Sequence, residues 1–187
     1  MLKTALKMSH TLAEEVILPG DVVVDATVGN GHDTVFLAQL VGETGKVIGF
    51  DIQEQAIKNT TERLEKEKLI DRVELIHASH HLLSSYCETA DDIRVALFNL
   101  GYLPQGNKEI VTLPERTIEA ITQLIPRLVK GGRILLVVYH GHTEGALERD
   151  AVLDYVKKLD QKIVSVASYQ FLNQKNNPPL LIAIEKK

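Results

Sequence analysis

The amino-acid sequence predicts an α/β fold: a doubly wound, mostly parallel seven-stranded sheet with a C-terminal antiparallel hairpin. Three observations predict it. Short apolar runs rich in β-branched residues alternate with helical patterns. A glycine-containing turn, "VGNGHD", follows the first of these runs. The last two apolar runs are joined by "NQKNNP" with no helical pattern between them. Strand–helix alternation requires parallel strands with right-handed crossovers and helices on both faces. Strands joined without a crossover must pair antiparallel.

The elements follow in order. "DVVVDA" (21–26) is a buried strand of β-branched residues. "HDTVFLAQLV" (32–41) is a helix, with Val35, Phe36, Leu40 and Val41 expected near its inner face. "GKVIGFD" (45–51) is the second strand, and "EQAIKNTTERLEKEKL" (54–69) a helix with a charged outer face. "RVELIH" (72–77) and "IRVALFNL" (93–100) are the third and fourth strands, with a short helix, "HHLLSSY", after the third. "PERTIEAITQLIPRLV" (114–129) is a long helix, since proline suits the first turn, and Gly131-Gly132 is expected to end it. "RILLVVYH" (133–140) is the fifth strand and "EGALERDAVLDYVKKL" (144–159) the next helix. "KIVSVASYQFL" and "PLLIAIEK" form the hairpin, which is expected to place one reversed strand at the sheet edge.

Composition narrows the function classes. The 187 residues are 44% hydrophobic and 25% charged, which suits one globular domain spanning 1–187. Cys87 is alone, so no internal disulfide forms, and a reducing cytoplasm is the expected location. The segment "MLKTALKMSHTLAEEV" lacks the continuous apolar core of a signal peptide, and no apolar run suits a membrane span. A net charge of −4 argues against a generally basic nucleic-acid-binding domain but leaves local patches open.

Ligands of doubly wound sheets bind at the carboxyl ends of the strands, so the loops there are the candidate sites. The first loop, "DATVGNGHDT" (25–34), has the paired glycines of a nucleotide-binding turn. A dinucleotide fits it poorly. Thr34 stands where a third small residue would allow close helix packing. Asp25 and Asp33 would each repel a pyrophosphate by about 1 kcal/mol or more at contact. S-Adenosylmethionine, a cation without phosphate, has the opposite preference. Asp51, at the end of the second strand, is placed to accept hydrogen bonds from both ribose hydroxyls of either ligand. The candidate cofactor set is therefore Asp25, Thr27, Gly29, Asn30, Gly31, His32, Asp33 and Thr34 from the first loop. Asp51 and Gln53 join it from the second, and Ser79 and His80 from "HASHH" after the third strand. Ser79 also reads as a helix N-cap, and His81 as an alternative to His80. "KMSH" (7–10) is a candidate lid, with Ser9 and His10 facing the cofactor.

The fourth strand ends in "NLGYLP" (99–104). It resembles the [D/N/S]-P-P-[aromatic] motif of amino-group methyltransferases, with Leu100-Gly101 in place of the two prolines. In that motif the polar side chain accepts from the target amine and the ring covers the target base. The resemblance makes Asn99, Tyr102 and Pro104 catalytic candidates, with Asn99 also beside the cofactor and Leu103 toward the substrate. Asn99 can orient an amine but cannot act as a base at neutral pH. His140 and His142 of "YHGH" and Asn177 of "YQFLNQKNNPP" are further substrate-contact candidates. A lone His-x-His spacing without a cysteine partner is too weak to assign a metal.

Taken together, "VVDATVGNGHDT", "GFDIQ", "FNLGYLP", "YHGH" and "NNPP" resemble a family of small bacterial proteins known as rRNA methylases. Its members resemble the tRNA 5-aminomethyl-2-thiouridine methyltransferases (MnmM), and the likeness runs nearly end to end. The resemblance implies a class I, Rossmann-like methyltransferase fold using S-adenosylmethionine and yielding S-adenosylhomocysteine. It implies tRNA at the anticodon as partner, with the wobble uridine's aminomethyl nitrogen as acceptor. Ribosomal RNA or a small amine is the alternative acceptor, no membrane partner is implied, and a homodimer is left open. A binding module that has kept the fold without catalysis would not need the first loop, Asp51 and Asn99 together. Lys3, Lys7, Lys108, Arg116, Lys130, Arg133 and Lys175 are candidate phosphate contacts.

Overall fold

The computed structural model describes residues 1–87, 92–101, 113–141 and 143–187. The elements are α1 (Ala5–Glu14), β1 (Val22–Asp25), α2 (His32–Val41), β2 (Lys46–Asp51), α3 (Glu54–Lys66), β3 (Val73–His77), α4 (Leu83–Tyr86), β4 (Ile93–Leu100), α5 (Pro114–Arg127), β5 (Leu128–Val138), α6 (Thr143–Val156), β6 (Val164–Tyr169) and β7 (Leu180–Lys186). The seven strands form one sheet in the order β3-β2-β1-β4-β5-β7-β6. Pairing is parallel from β3 through β5 and antiparallel at β5–β7 and β7–β6.

The strands alternate their side chains between two cores, as a period of two requires. Val24, Ala96, Phe98, Ile134 and Leu136 face α5 and α6, while Val23, Val95, Leu97, Leu135 and Val137 face α1, α2 and α3. On α2 the buried stripe is Thr34, Leu37, Ala38 and Val41, an i, i+3, i+4, i+7 set. Of the expected inner face only Val41 is fully buried; Val35, Phe36 and Leu40 pack at its flank.

Three expectations are corrected. The reversed strand is β7, and it lies one place in from the edge, which β6 forms. Burial explains the order: β7 is mostly buried, whereas β6 is buried only at Val164. The long helix ends at Arg127, with Pro126 in its last turn, and β5 begins at once. Gly131 (φ 74°) and Gly132 instead form a bulge in β5, where the register against β4 shifts between Ile93 and Val95. Finally, residues 7–10 are not a lid. They belong to α1, capped by the Thr4 side chain on Lys7 N and packed on β5 and β7. Arg133, expected as a phosphate contact, holds α1 to the sheet through Glu15 (2.7 Å), Glu185 (2.8 Å) and the Leu12 carbonyl (2.7 Å). Lys130 sits near the start of β5, at the opposite end from the strand termini that carry the first loop.

Candidate active site

The sheet order reverses direction between β1 and β4, and a cleft of about 490 Å³ opens there at the carboxyl ends of the strands. The first loop forms its floor, and nearly every polar group of that loop is held. Gly29 N donates to Asp51 Oδ2 (2.8 Å) and Gln53 N to Asp51 Oδ1 (2.9 Å). From α3, Thr60 Oγ1 donates to Gly29 O (3.1 Å), Arg63 Nε to Asn30 O (2.8 Å) and Asn59 Nδ2 to Asn30 Oδ1 (3.2 Å). The loop is preorganised by α3, the helix after the second strand, so little ordering cost remains for binding.

Of the predicted cofactor residues, Thr27, Gly29, Asn30, His32, Asp33, Asp51, Gln53, Ser79, His80 and Asn99 line the cleft. Asp25, Gly31 and Thr34 do not, and their roles are different. Gly31 has φ 78°, and a Cβ there would meet Thr60 Oγ1 at 2.7 Å, so its missing side chain serves the approach of α3. Asp25 is 1% exposed beneath the loop, accepting from Thr27 N (3.1 Å) and Thr34 Oγ1 (2.7 Å). Burial, and then the charge of Asp33, raise its pKa from 3.8 to about 7.

Asp51 lines the cleft and, after accepting from Gly29 N and Gln53 N, keeps acceptor capacity there. Burial raises its pKa. His80 Nδ1 lies 3.0 Å from the Ala26 carbonyl, which can only accept, so Nδ1 carries the proton. Nε2 is then a lone-pair acceptor, buried and, among the described residues, without a hydrogen-bond partner. Burial lowers the His80 pKa to about 4, so the ring is neutral. His81 turns aside to the Ser79 hydroxyl (2.7 Å). Ser79 therefore occupies the N-cap position without capping by its side chain.

At the other end of the cleft, Asn99 N donates to Thr27 Oγ1 (2.7 Å), and Asn99 Nδ2 donates to Asp33 Oδ2. A carboxylate only accepts, so this contact fixes the amide with its nitrogen toward Asp33. Among the described residues Asn99 Oδ1 is left buried and without a partner. Asp33 Oδ1 is in turn held by His10 Nε2 at 2.8 Å, and the His10 ring stacks on Phe36 with centroids 4.1 Å apart. Ser9, expected to face the cofactor, instead donates to Leu6 O (2.7 Å).

Leu6, Ile52, Leu113 and Tyr139 also line the cleft and were missed at the level of sequence, and Arg116, expected as a phosphate contact, lines it too. Tyr139 had a signal, standing one residue before the singled-out His140. Leu6 had none, because α1 reaches the cleft only by packing across β5 and β7. His140 lies beside the cleft but not on its wall, and Asn177 is exposed on the loop before β7. Tyr102, Leu103, Pro104, Lys108 and His142 fall outside the described residues.

The family described as "Putative rRNA methylase" matches residues 47–185. The chain belongs to this family. The family of protein-L-isoaspartate(D-aspartate) O-methyltransferases matches residues 4–85, the half that carries the first loop. A chloroplastic tRNA (mnm(5)s(2)U34)-methyltransferase from Arabidopsis thaliana is 35% identical over 99% of this chain and 70% of its own length. The crystal structure of a "putative rRNA-methylase" from Clostridium thermocellum superposes with a TM-score of 0.97 at 46% identity, covering all of both chains. A methyltransferase-like protein from Streptococcus mutans, solved with S-adenosylhomocysteine, gives 0.91 at 43% identity, again covering all of both chains.

The cleft of this chain fits S-adenosylmethionine on its own observations. Asp51 has acceptor sites left for two ribose hydroxyls. The orphaned His80 Nε2 matches a donor such as an adenine amino group. Asp33 and Asp51 put negative charge on the wall, which favours a sulfonium and an ammonium and opposes a pyrophosphate.

Proposed function

We propose that this S-adenosylmethionine-dependent methyltransferase acts on RNA, transferring a methyl group to the aminomethyl nitrogen of 5-aminomethyl-2-thiouridine at the tRNA wobble position. The observation that carries the acceptor chemistry is Asn99 Oδ1, on a residue of the cleft wall: among the described residues it is a buried acceptor without a partner, its amide oriented by Asp33. An acceptor of this kind selects a nucleophile that bears a hydrogen. The Arabidopsis relative supports a wobble-uridine amine among such nucleophiles.

The residues divide the work. Asp51, Gln53, Ser79 and His80 would hold the nucleoside part of the cofactor, and the wall around Thr27 and Asp33 its amino-acid part. When bound, the cofactor would supply an electrophilic methyl group on sulfur, with a neutral thioether as its leaving group and the amine nitrogen's lone pair as its acceptor. Asn99 Oδ1 accepts one N–H of the amine and thereby orients its lone pair. An alkylammonium must first shed a proton. Asp33, beside Asn99 and held by His10, is the carboxylate placed to draw it toward the protein surface. The rest is proximity: two reactants held in contact gain the effective concentration of an intramolecular reaction.

The test is a nucleoside assay. The protein is incubated with S-adenosylmethionine and tRNA from a strain lacking its gene, and the digested tRNA is read by mass spectrometry. Gain of one methyl on 5-aminomethyl-2-thiouridine is the expected result. Methylation of ribosomal RNA instead would move the acceptor to the substrate in the family's description. No gain on either RNA would refute an RNA substrate.

A further inference from the structure

A second cavity, of about 250 Å³, adjoins the cleft and shares two of its walls, Leu6 and Tyr139. We propose that it holds the unpaired nucleobase next to the target nucleotide, an inference that rests on the RNA reading above. Its remaining walls are the start of α1 and, from the β6–β7 connection, Phe171, Gln174, Pro178 and Pro179. The volume falls just below the ~300–1,000 Å³ of sites for drug-sized ligands, which suits a single flat group.

The wall chemistry suits a base better than an aliphatic chain. Phe171 and Tyr139 offer ring faces for stacking, and the Gln174 amide can both donate to and accept from a base edge. The two prolines make the far side stiff, since each fixes its own φ. Asn176 (φ 66°) and Asn177 (φ 47°) both take left-handed backbone, which turns the chain onto that proline wall. Asparagine tolerates this conformation better than most residues. Leu172, at the same rim, is 89% exposed.

Charge decides between RNA and an apolar peptide as occupant. The chain carries a net −4, yet the segments forming this rim carry Lys3, Lys7 and Lys175. Among the described residues Lys3 donates to the Thr11 hydroxyl, and none of the three makes an ion pair. Lysines on the segments that border a base-sized cavity, without acidic partners among the described residues, match a phosphodiester backbone. Continuity matters equally: a target base in the cleft beside Asn99 leaves its chain neighbour across the Leu6–Tyr139 wall.

Two variants and three RNAs test this. The RNAs are an anticodon stem-loop carrying 5-aminomethyl-2-thiouridine and two copies with an abasic residue on one or the other side of the target. Phe171→Ala is expected to raise KM for the intact stem-loop roughly 10- to 100-fold, the range of one base–aromatic stack. Gln174→Ala, at an exposed position, should raise it less. Both should bind S-adenosylhomocysteine as wild type does, which reports an intact fold. One abasic RNA should cost the wild-type protein as much as Phe171→Ala does, and that variant should lose nothing more on it. The inference is overturned, and the RNA reading stands, if the wild-type protein methylates all three RNAs and neither variant changes KM. It is also overturned if Phe171→Ala loses as much on both abasic RNAs as on the intact one. A change in sedimentation from dimer to monomer would give the cavity to a second copy of this chain. If the wild-type protein methylates none of the RNAs but does methylate a small amine, the RNA reading fails and takes this inference with it.

Discussion

Asp25→Asn is expected to stabilise the protein at alkaline pH and to flatten its pH dependence. Asp25 is fully enclosed and has a pKa of about 7, against 3.8 for an ordinary aspartate. Below 3.8 the carboxyl is protonated in both folded and unfolded chains and contributes no pH dependence. Between 3.8 and about 7 the unfolded chain ionises first, so folding loses stability as pH rises. Above that window both states are ionised and the whole penalty is present, roughly 4 kcal/mol at 1.36 kcal/mol per unit. Asparagine is nearly isosteric and cannot ionise. Its oxygen can still accept from Thr27 N, while Thr34 must turn its hydroxyl to accept from the new amide. The variant's advantage over wild type should therefore grow by roughly 2–3 kcal/mol between pH 5 and pH 8. Urea unfolding of both proteins at the two pH values measures it. His80, whose buried neutral ring costs stability as pH falls from 6.5 toward about 4, is common to both proteins and cancels in the difference. An advantage that is the same at pH 5 and pH 8 would falsify the assignment of a buried, proton-holding Asp25.

The remaining predictions concern the cleft. Asp51→Ala removes a charged acceptor and the anchor of Gly29 N, and should weaken S-adenosylhomocysteine binding by about 1.5–3 kcal/mol. Unchanged affinity by calorimetry would mean that the ribose lies elsewhere. Asn99→Ala should lower kcat by roughly 100-fold through loss of amine orientation, with a smaller effect on cofactor affinity. An equal fall in both would make Asn99 a support of the pocket. Asp33→Asn gives the Asn99 amide a neighbour that can donate as well as accept, so the amide no longer has one favoured orientation. kcat for the amine should fall about 10-fold or more, and a wild-type value would show that Asp33 does not set that orientation.

Much of this site was legible because it is local. Asp51 and Asn99 end β-branched strands at the side of the sheet where ligands bind, and Gly29 sits in the turn between a strand and a helix. What the sequence did not show are contacts between distant segments. His10 meets Asp33 across 23 positions, and Leu6 reaches the cleft from a helix that lies over β5 and β7. The same distance hid the work of Asp25, Gly31 and Thr34. All three stand in the recognised loop, yet they face the sheet or α3 rather than the cleft. Arg133 looked like a free surface cation until Glu15 and Glu185 were brought to it from either end of the chain.

Periodicity determined by itself that the chain alternates strand and helix, because side-chain direction repeats every two residues in one and every 3.6 in the other. Residue type pointed to a first loop that disfavours a pyrophosphate, through Asp33 on the cleft wall, but burial of Asp25 and its pKa of about 7 belong to the tertiary structure. Only the tertiary structure decided that β7 enters between β5 and β6, because burial on both sheet faces is settled by competition among strands. It alone decided the orientation of the Asn99 amide, because a carboxylate from another element had to take its nitrogen.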